Sequence, residues 1–288
     1  MRNLTFKIFS VLNILLVSFE LNSFAQQMPK LGIVSPISRD SIVYNAGFKY
    51  IGESVSNMLS PSLSNDAFES NLRKIKSAKT KVLSCNVFFP GSIKIAGPDV
   101  DKEKVLTYAE GVLSRANKAG VKYIILGSSS ARSIPDGYDK EKAKSDFVII
   151  CKELAKLAGK YKVTIALENL QSSETNFINT VKDAADVVSR VNHPAFGLNA
   201  DIFHMMRENE SPEEILKAGK LLTFCEVAEK ANRSLPGVMK DDFKPYFNAL
   251  KQIGYRGYLF IEGRIENAET EIPFAFKYLT EQLAEVYK

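Results

Sequence analysis

From Leu31 onward this chain of 288 residues alternates short β-rich runs with helical patterns, and the runs number eight. They cover 31–34, 48–53, 81–86, 122–126, 162–168, 195–200, 221–228 and 257–262. Between them, apolar residues recur at helical spacing, as in Val105, Leu106, Ala109, Val112, Leu113 and Ala116 within 102–118, or Phe147, Ile150, Cys151, Leu154 and Leu157 within 140–157. Ala46-Gly47, Ala119-Gly120 and Ile253-Gly254 place a helix-ending glycine directly before the next strand. Nearly continuous apolar strands separated by helices imply a parallel sheet covered on both faces. No linker or composition break divides the chain, so the pattern predicts an α/β fold, a single (β/α)8 (TIM) barrel.

The N-terminus reads differently. Arg2 and Lys7 precede an apolar stretch over 8–19, and Ser23-Phe24-Ala25 is followed by Gln26-Gln27, the plan of a secretory signal over 1–25 cleaved after Ala25. This predicts an exported protein, periplasmic or secreted. The apolar stretch is short for a membrane span, and no later segment approaches the required length. Residues 26–288 match the size of about 250 residues usual for one barrel. The formal net charge of +5 falls by one when Arg2, Lys7 and Glu20 are removed, and no basic tract suggests nucleic acid or a membrane surface. Cys85, Cys151 and Cys225 are odd in number and unpaired in spacing, so they read as small core residues rather than a disulfide framework.

The last four runs each carry an acid at or near their C-terminal end: Glu168, Asp201, Glu226 and Glu262. A carboxylate at the end of an apolar strand is costly to desolvate, and four on consecutive strands suggest a cation held between them. In a barrel of this kind chemistry gathers at the C-terminal strand ends, where these acids would line one half of the mouth. Glu53, closing the second run, either lines the pocket or caps the next turn. His193, in Asn192-His193-Pro194, reads as a turn residue.

At these residues the chain resembles the xylose-isomerase-like barrel superfamily, which also contains abasic-site endonucleases of the AP endonuclease family 2 fold. The likeness is strongest to the ketose 3-epimerase and hydroxypyruvate isomerase branch of sugar isomerases and epimerases. It is carried by Asp201-Ile-Phe-His204, by Glu226 to Gly237 ending in Arg233-Ser-Leu-Pro-Gly, by Asp242-Phe243, by Ile253 to Glu262, and by Gly127 to Pro135 after the fourth strand. The resemblance implies one divalent ion bound by Glu168, Asp201, Glu226 and Glu262, with Glu168 and Glu262 also serving as catalytic acid and base. On the loops after strands six and seven, His204 and Arg233 would hydrogen-bond substrate hydroxyls or a developing oxyanion; the alternatives are a supporting or capping role for His204 and a surface ion pair for Arg233. Glu226 departs from the pattern, since the family has histidine there. An all-oxygen shell favours Mn2+ or Mg2+ over Zn2+.

Such a site would remove a proton next to a carbonyl and return it, giving epimerisation or isomerisation of a non-phosphorylated sugar or glycoside. Two alternatives stay open. A 3-keto-glycoside lyase or hydratase would use the same proton abstraction and then eliminate an oxygen. A non-catalytic carbohydrate-binding barrel would have lost its metal, with Glu226 as the sign. The endonuclease reading fails because two histidines cannot furnish a histidine-rich cluster of several metals. A sugar phosphate is disfavoured because the loops after strands seven and eight lack a Gly-rich cradle and offer Arg233, Gly237 and Arg264 instead. The resemblance leaves room for a homo-oligomer.

Overall fold

Side chains on successive strand residues point to opposite faces, so each apolar run must bury one face inside the barrel and the other beneath helices. The computed structural model, which describes residues 27–288, has that arrangement. The signal segment expected at 1–25 lies outside the described residues. Strands β1 (Lys30–Val34), β2 (Tyr50–Ser54), β3 (Lys81–Asn86), β4 (Tyr123–Leu126), β5 (Thr164–Glu168), β6 (Phe196–Asp201), β7 (Leu222–Val227) and β8 (Tyr258–Ile261) pair in chain order. Every pairing is parallel, and β1 closes the barrel on β8.

Most strands begin or end one or two residues from the expected runs, and two of these shifts have a clear cause. The second strand begins at Tyr50, because the Phe48 amide donates to Val43 O and completes the exit of the helix Asp40–Ala46 through Gly47, at φ 115°. Phe48 is buried against Phe276, with ring centroids 4.8 Å apart, so its apolar character serves helix packing. The last strand ends at Ile261, one residue before Glu262, although the Glu262 amide still donates to Val227 O on the neighbouring strand. The helices Lys102–Ala119 and Lys140–Lys160 stand where the periodicity placed them, each with an Asp N-cap.

Two apolar layers result. Outward-facing residues such as Ile51, Val82, Ile124, Ile165 and Leu259 join the helices in the large outer core. The inward set is smaller: Leu83, Ile125, Ala166, Phe224 and Phe260, flanked by Val34, Tyr50, Tyr123 and Tyr258, plugs the barrel floor. Phe224 and Phe260 pack at 4.9 Å between centroids. Gly32 makes room for Phe260, since a Cβ there would lie 2.3 Å from the ring. All three cysteines are buried and free.

Candidate active site

Above the floor the inward-facing positions turn polar. Glu168 ends β5, Asp201 ends β6, Glu226 is the penultimate residue of β7, and Glu262 follows β8. One carboxylate oxygen from each lies within 4.8 Å of the others. Glu226 is fully buried, and Glu168 and Asp201 are nearly so. All four residues that the sequence singled out are therefore brought to one point.

The surroundings of each acid differ. Asn86, at the end of β3, donates Nδ2 to Glu226 Oε1 at 2.9 Å and to Glu262 Oε1 at 2.6 Å. Asn199, two residues before Asp201 on β6, donates to the other oxygen of Glu226. Glu226 thus has an amide hydrogen on each oxygen. Val87, next to Asn86, holds φ 58°, a conformation costly for a β-branched residue, where the chain turns away from the mouth. Asn169 fixes Asp201 by accepting its amide at 2.9 Å. Glu168 lies over Gly127, where a Cβ would come within 2.2 Å of its Oε2, so only glycine leaves space for the carboxylate.

Two arginines hold this cluster. Arg132 is wholly buried behind it and donates to the carbonyl oxygens of Glu168 at 2.6 Å and Ile178 at 3.0 Å. Burial lowers it to about 10, against the opposing pull of Glu168 and Glu174, so it remains a cation at neutral pH. Arg233 faces the cluster from the β7 loop. It stacks over Phe203, hydrogen-bonds the Glu262 carboxylate and carbonyl, and lies 3.4 Å from Asp201 Oδ2. Burial opposes its charge, but Glu262, Asp201, Glu168 and Glu174 outweigh that and raise it.

The loop that carries Arg233 is organised by Glu229. This buried carboxylate accepts the backbone amides of Gly237, Met239 and Lys240 and the hydroxyl of Ser234. Arg233 itself sits at φ 52°, in the left-handed region.

His204, also fully buried, accepts the Gln171 amide on Nδ1 at 3.1 Å, so its neutral ring carries the proton on Nε2. That nitrogen lies 3.6 Å from both Glu168 and Asp201 and has no hydrogen-bond partner among the described residues. Burial, then Arg233, lowers His204 to about 4, so it stays neutral. An Nε2–H aimed at the cluster is a donor to an oxygen there rather than a metal ligand.

Burial pushes the acids up, and their mutual repulsion adds to it. Glu168 lies well above the usual carboxylate range through burial and through Glu262, Glu226 and Asp201. Glu226 does so through burial, Glu262 and Asp201, against the two asparagines. Burial also raises Glu262 and Asp201, with Arg233 pulling both back. Four convergent oxygen donors with this much mutual repulsion fit a small divalent cation.

Glu53 is not among them. It faces the helices, accepts the Ile37 amide at 2.7 Å, and so caps the β1 loop. His193 accepts the Ala195 amide in its own turn, as a turn residue would. The sequence reading passed over Asn86, Asn199 and Glu229. Asn86 closes its strand as the acids close theirs, and Asn199 shares the inward parity of Asp201; both signals were present without a charge to mark them.

The fold and this cluster define a class, a closed (β/α)8 barrel with a carboxylate-rich mouth. The model of the xylose isomerase-like TIM barrel family matches residues 42–282, and the chain belongs to that family. An L-ribulose 3-epimerase of Methylomonas sp. (strain DH-1) is 32% identical over 151 residues, which is 52% of this chain and 50% of that one. The chain thus spans about half the length of that relative. Among solved structures, D-allulose 3-epimerase from Methylomonas sp. in complex with D-allulose superposes with a TM-score of 0.76 at 19% identity, covering 89% of this chain and 98% of that one. IOLI protein with a bound zinc atom gives 0.71 at 22% identity, covering 90% and 98%. At these identities the structural likenesses concern the fold.

Proposed function

We propose that this protein is a metal-dependent sugar isomerase or epimerase that acts on a non-phosphorylated ketose. The observation that carries the reading is the pair Glu168 and Glu262, presented from different strands to one space that Arg233 and His204 also face. Proton exchange at carbon needs one carboxyl protonated and one ionised, and the two environments are unequal. Arg233 hydrogen-bonds Glu262 and favours its ionised form, whereas burial and three neighbouring acids favour a proton on Glu168. Glu262 is then the base that removes the proton next to the carbonyl, and Glu168 the acid that returns one; the roles reverse for the opposite substrate.

His204 donates its Nε2–H, and Arg233 its guanidinium, to substrate oxygens, including the one on which charge develops. Asp201, Glu226, Glu168 and Glu262 would hold a divalent ion, Mn2+ or Mg2+ in preference to Zn2+, which when bound polarises the substrate carbonyl. Asn86 and Asn199 fix Glu226 at the base of this set. No helix among the described residues is long and apolar enough to cross a membrane. The N-terminal signal pattern supports an exported enzyme that meets free sugars outside the cytoplasm.

The test is incubation of the purified protein with ketohexoses and 3-keto-glucosides in D2O, with Mn2+ or with EDTA, followed by product NMR. Deuterium at the carbon next to the carbonyl, in a stereoisomer or positional isomer of the substrate, is expected with Mn2+. An unsaturated sugar would identify the eliminating alternative. Binding without exchange or elimination across the panel would identify a carbohydrate-binding barrel and overturn the catalytic reading.

A further inference from the structure

The cleft that opens above Glu262 and Arg233 has a volume of about 580 Å³ and is lined by two acids and four cations. Both acids are already committed. Glu262 hydrogen-bonds Arg233, and Glu174 lies 3.7 Å from Arg233 while accepting the Gln171 side-chain amide. Three positive charges remain, from three separate elements. Arg207 ends the short helix after β6, Lys230 lies in the β7 loop, and Arg264 in the β8 loop.

These three are anchored without being neutralised. Arg207 Nε donates to Gln171 Oε1 at 3.0 Å, and Lys230 Nζ to Asn209 Oδ1 at 3.1 Å, both neutral acceptors. The Arg264 backbone is pinned by its amide bond to Arg233 O at 2.7 Å, and its guanidinium has no partner among the described residues. Among the described residues none of the three has a carboxylate within ion-pair distance, although Glu174 and Glu262 share the same cleft. Cations of one sign lining a concavity focus their field on whatever enters it.

From this we infer that Arg207, Lys230 and Arg264 form an anion subsite in the outer half of the cleft, and that the preferred substrate is a sugar carrying a negatively charged group. The inference rests on the proposed isomerase reading for the inner half. It narrows the substrate class from any ketose to an acidic one. Without a Gly-rich cradle a carboxylate is the better match, and paired N–H donors of arginine suit its geometry.

Calorimetric binding to the Mn2+-loaded protein would compare D-fructose, D-fructuronate and D-fructose 6-phosphate. Fructuronate is expected to bind about tenfold or more tightly than fructose at low salt, the scale of one charge-assisted contact. The gap should narrow at high salt, because the subsite is open to solvent. Arg264→Gln and Lys230→Gln should each shrink that ratio several-fold, while Lys49→Gln, at the opposite end of the barrel, should not. A phosphate form that binds best would keep the subsite and change its ligand. Equal affinity for neutral and acidic sugars, or a preference that survives both substitutions, would overturn the inference. Because the readout is binding, an anion preference without turnover would sink the isomerase reading alone, and turnover of neutral ketose without the preference would sink only the subsite.

Discussion

Phe224 and Glu226 stand two residues apart on β7, and Phe260 and Glu262 two residues apart across the end of β8, yet one member of each pair closes the floor and the other opens onto the mouth. All four point inward. The floor gains from excluding water around aromatic rings, whereas the mouth confines like charges that repel one another once desolvated. Within one strand repeat, the barrel passes from a layer selected for stability to one that opposes it. Stability and chemistry should therefore separate cleanly under mutation.

The largest expected effect is in the floor. Phe260→Ala removes a fully buried ring packed on Phe224 and over Gly32, and should cost about 3–5 kcal/mol in urea unfolding. A loss below about 1 kcal/mol would mean that the floor collapses to fill the space and that the two layers are not distinct. In the mouth the order reverses: Glu262→Gln keeps the volume but cannot carry the proton. Turnover should fall roughly a hundredfold or more. The melting temperature should hold or rise, since one of four clustered charges is gone; a large loss of stability with turnover intact would break the contrast.

Metal and pH sharpen the comparison next. Glu168, Glu226, Asp201 and Glu262 are all raised in the folded protein, so the metal-free fold retains protons that the unfolded chain has released. Their contribution to stability is therefore fully present below the ordinary carboxylate range, about pH 4, and is lost as pH rises through the raised values. A divalent ion competes with these protons for the carboxylate oxygens. The melting-temperature difference between Mn2+ and EDTA should widen from pH 5 to pH 8, reaching about 2.7 kcal/mol of added stability at a hundred times the dissociation constant. A difference that shrinks over this range would show that the four acids do not share an ion.

These two layers were unequally legible in the sequence. The floor follows from eight apolar runs separated by helices, because barrel closure leaves few other uses for such a pattern. Phe48 misled only locally, its apolar side chain serving the exit of a helix. The acids of the mouth were visible because a charge at the end of an apolar run is anomalous. Asn86 and Asn199, which hold Glu226 between them, were not, since a neutral amide in a strand carries no such signal. Glu229 stayed hidden for another reason: its amide partners, residues 237–241, reach it only when the loop folds back.

Glu53 is the smallest and most discriminating case, because it also closes a strand-like run and yet serves neither layer. On β2 the floor residue Tyr50 sets the parity: Gly52 and Ser54 follow it inward, and Glu53 turns to the helices. There its carboxylate accepts the amides of Ile37 at 2.7 Å and Ser54 at 3.2 Å, satisfying backbone donors instead of facing other acids. Glu53→Gln retains an acceptor of the same length and removes only the charge, so it should cost about 1 kcal/mol, the net worth of a typical hydrogen bond. Turnover and the Mn2+-dependent rise in melting temperature should stay within about twofold of the wild type, in contrast to Glu262→Gln. If Glu53→Gln instead abolished the metal response, then parity on β2 would not separate capping from chemistry, and the division between the charged half of the mouth and the neutral half would have to be redrawn.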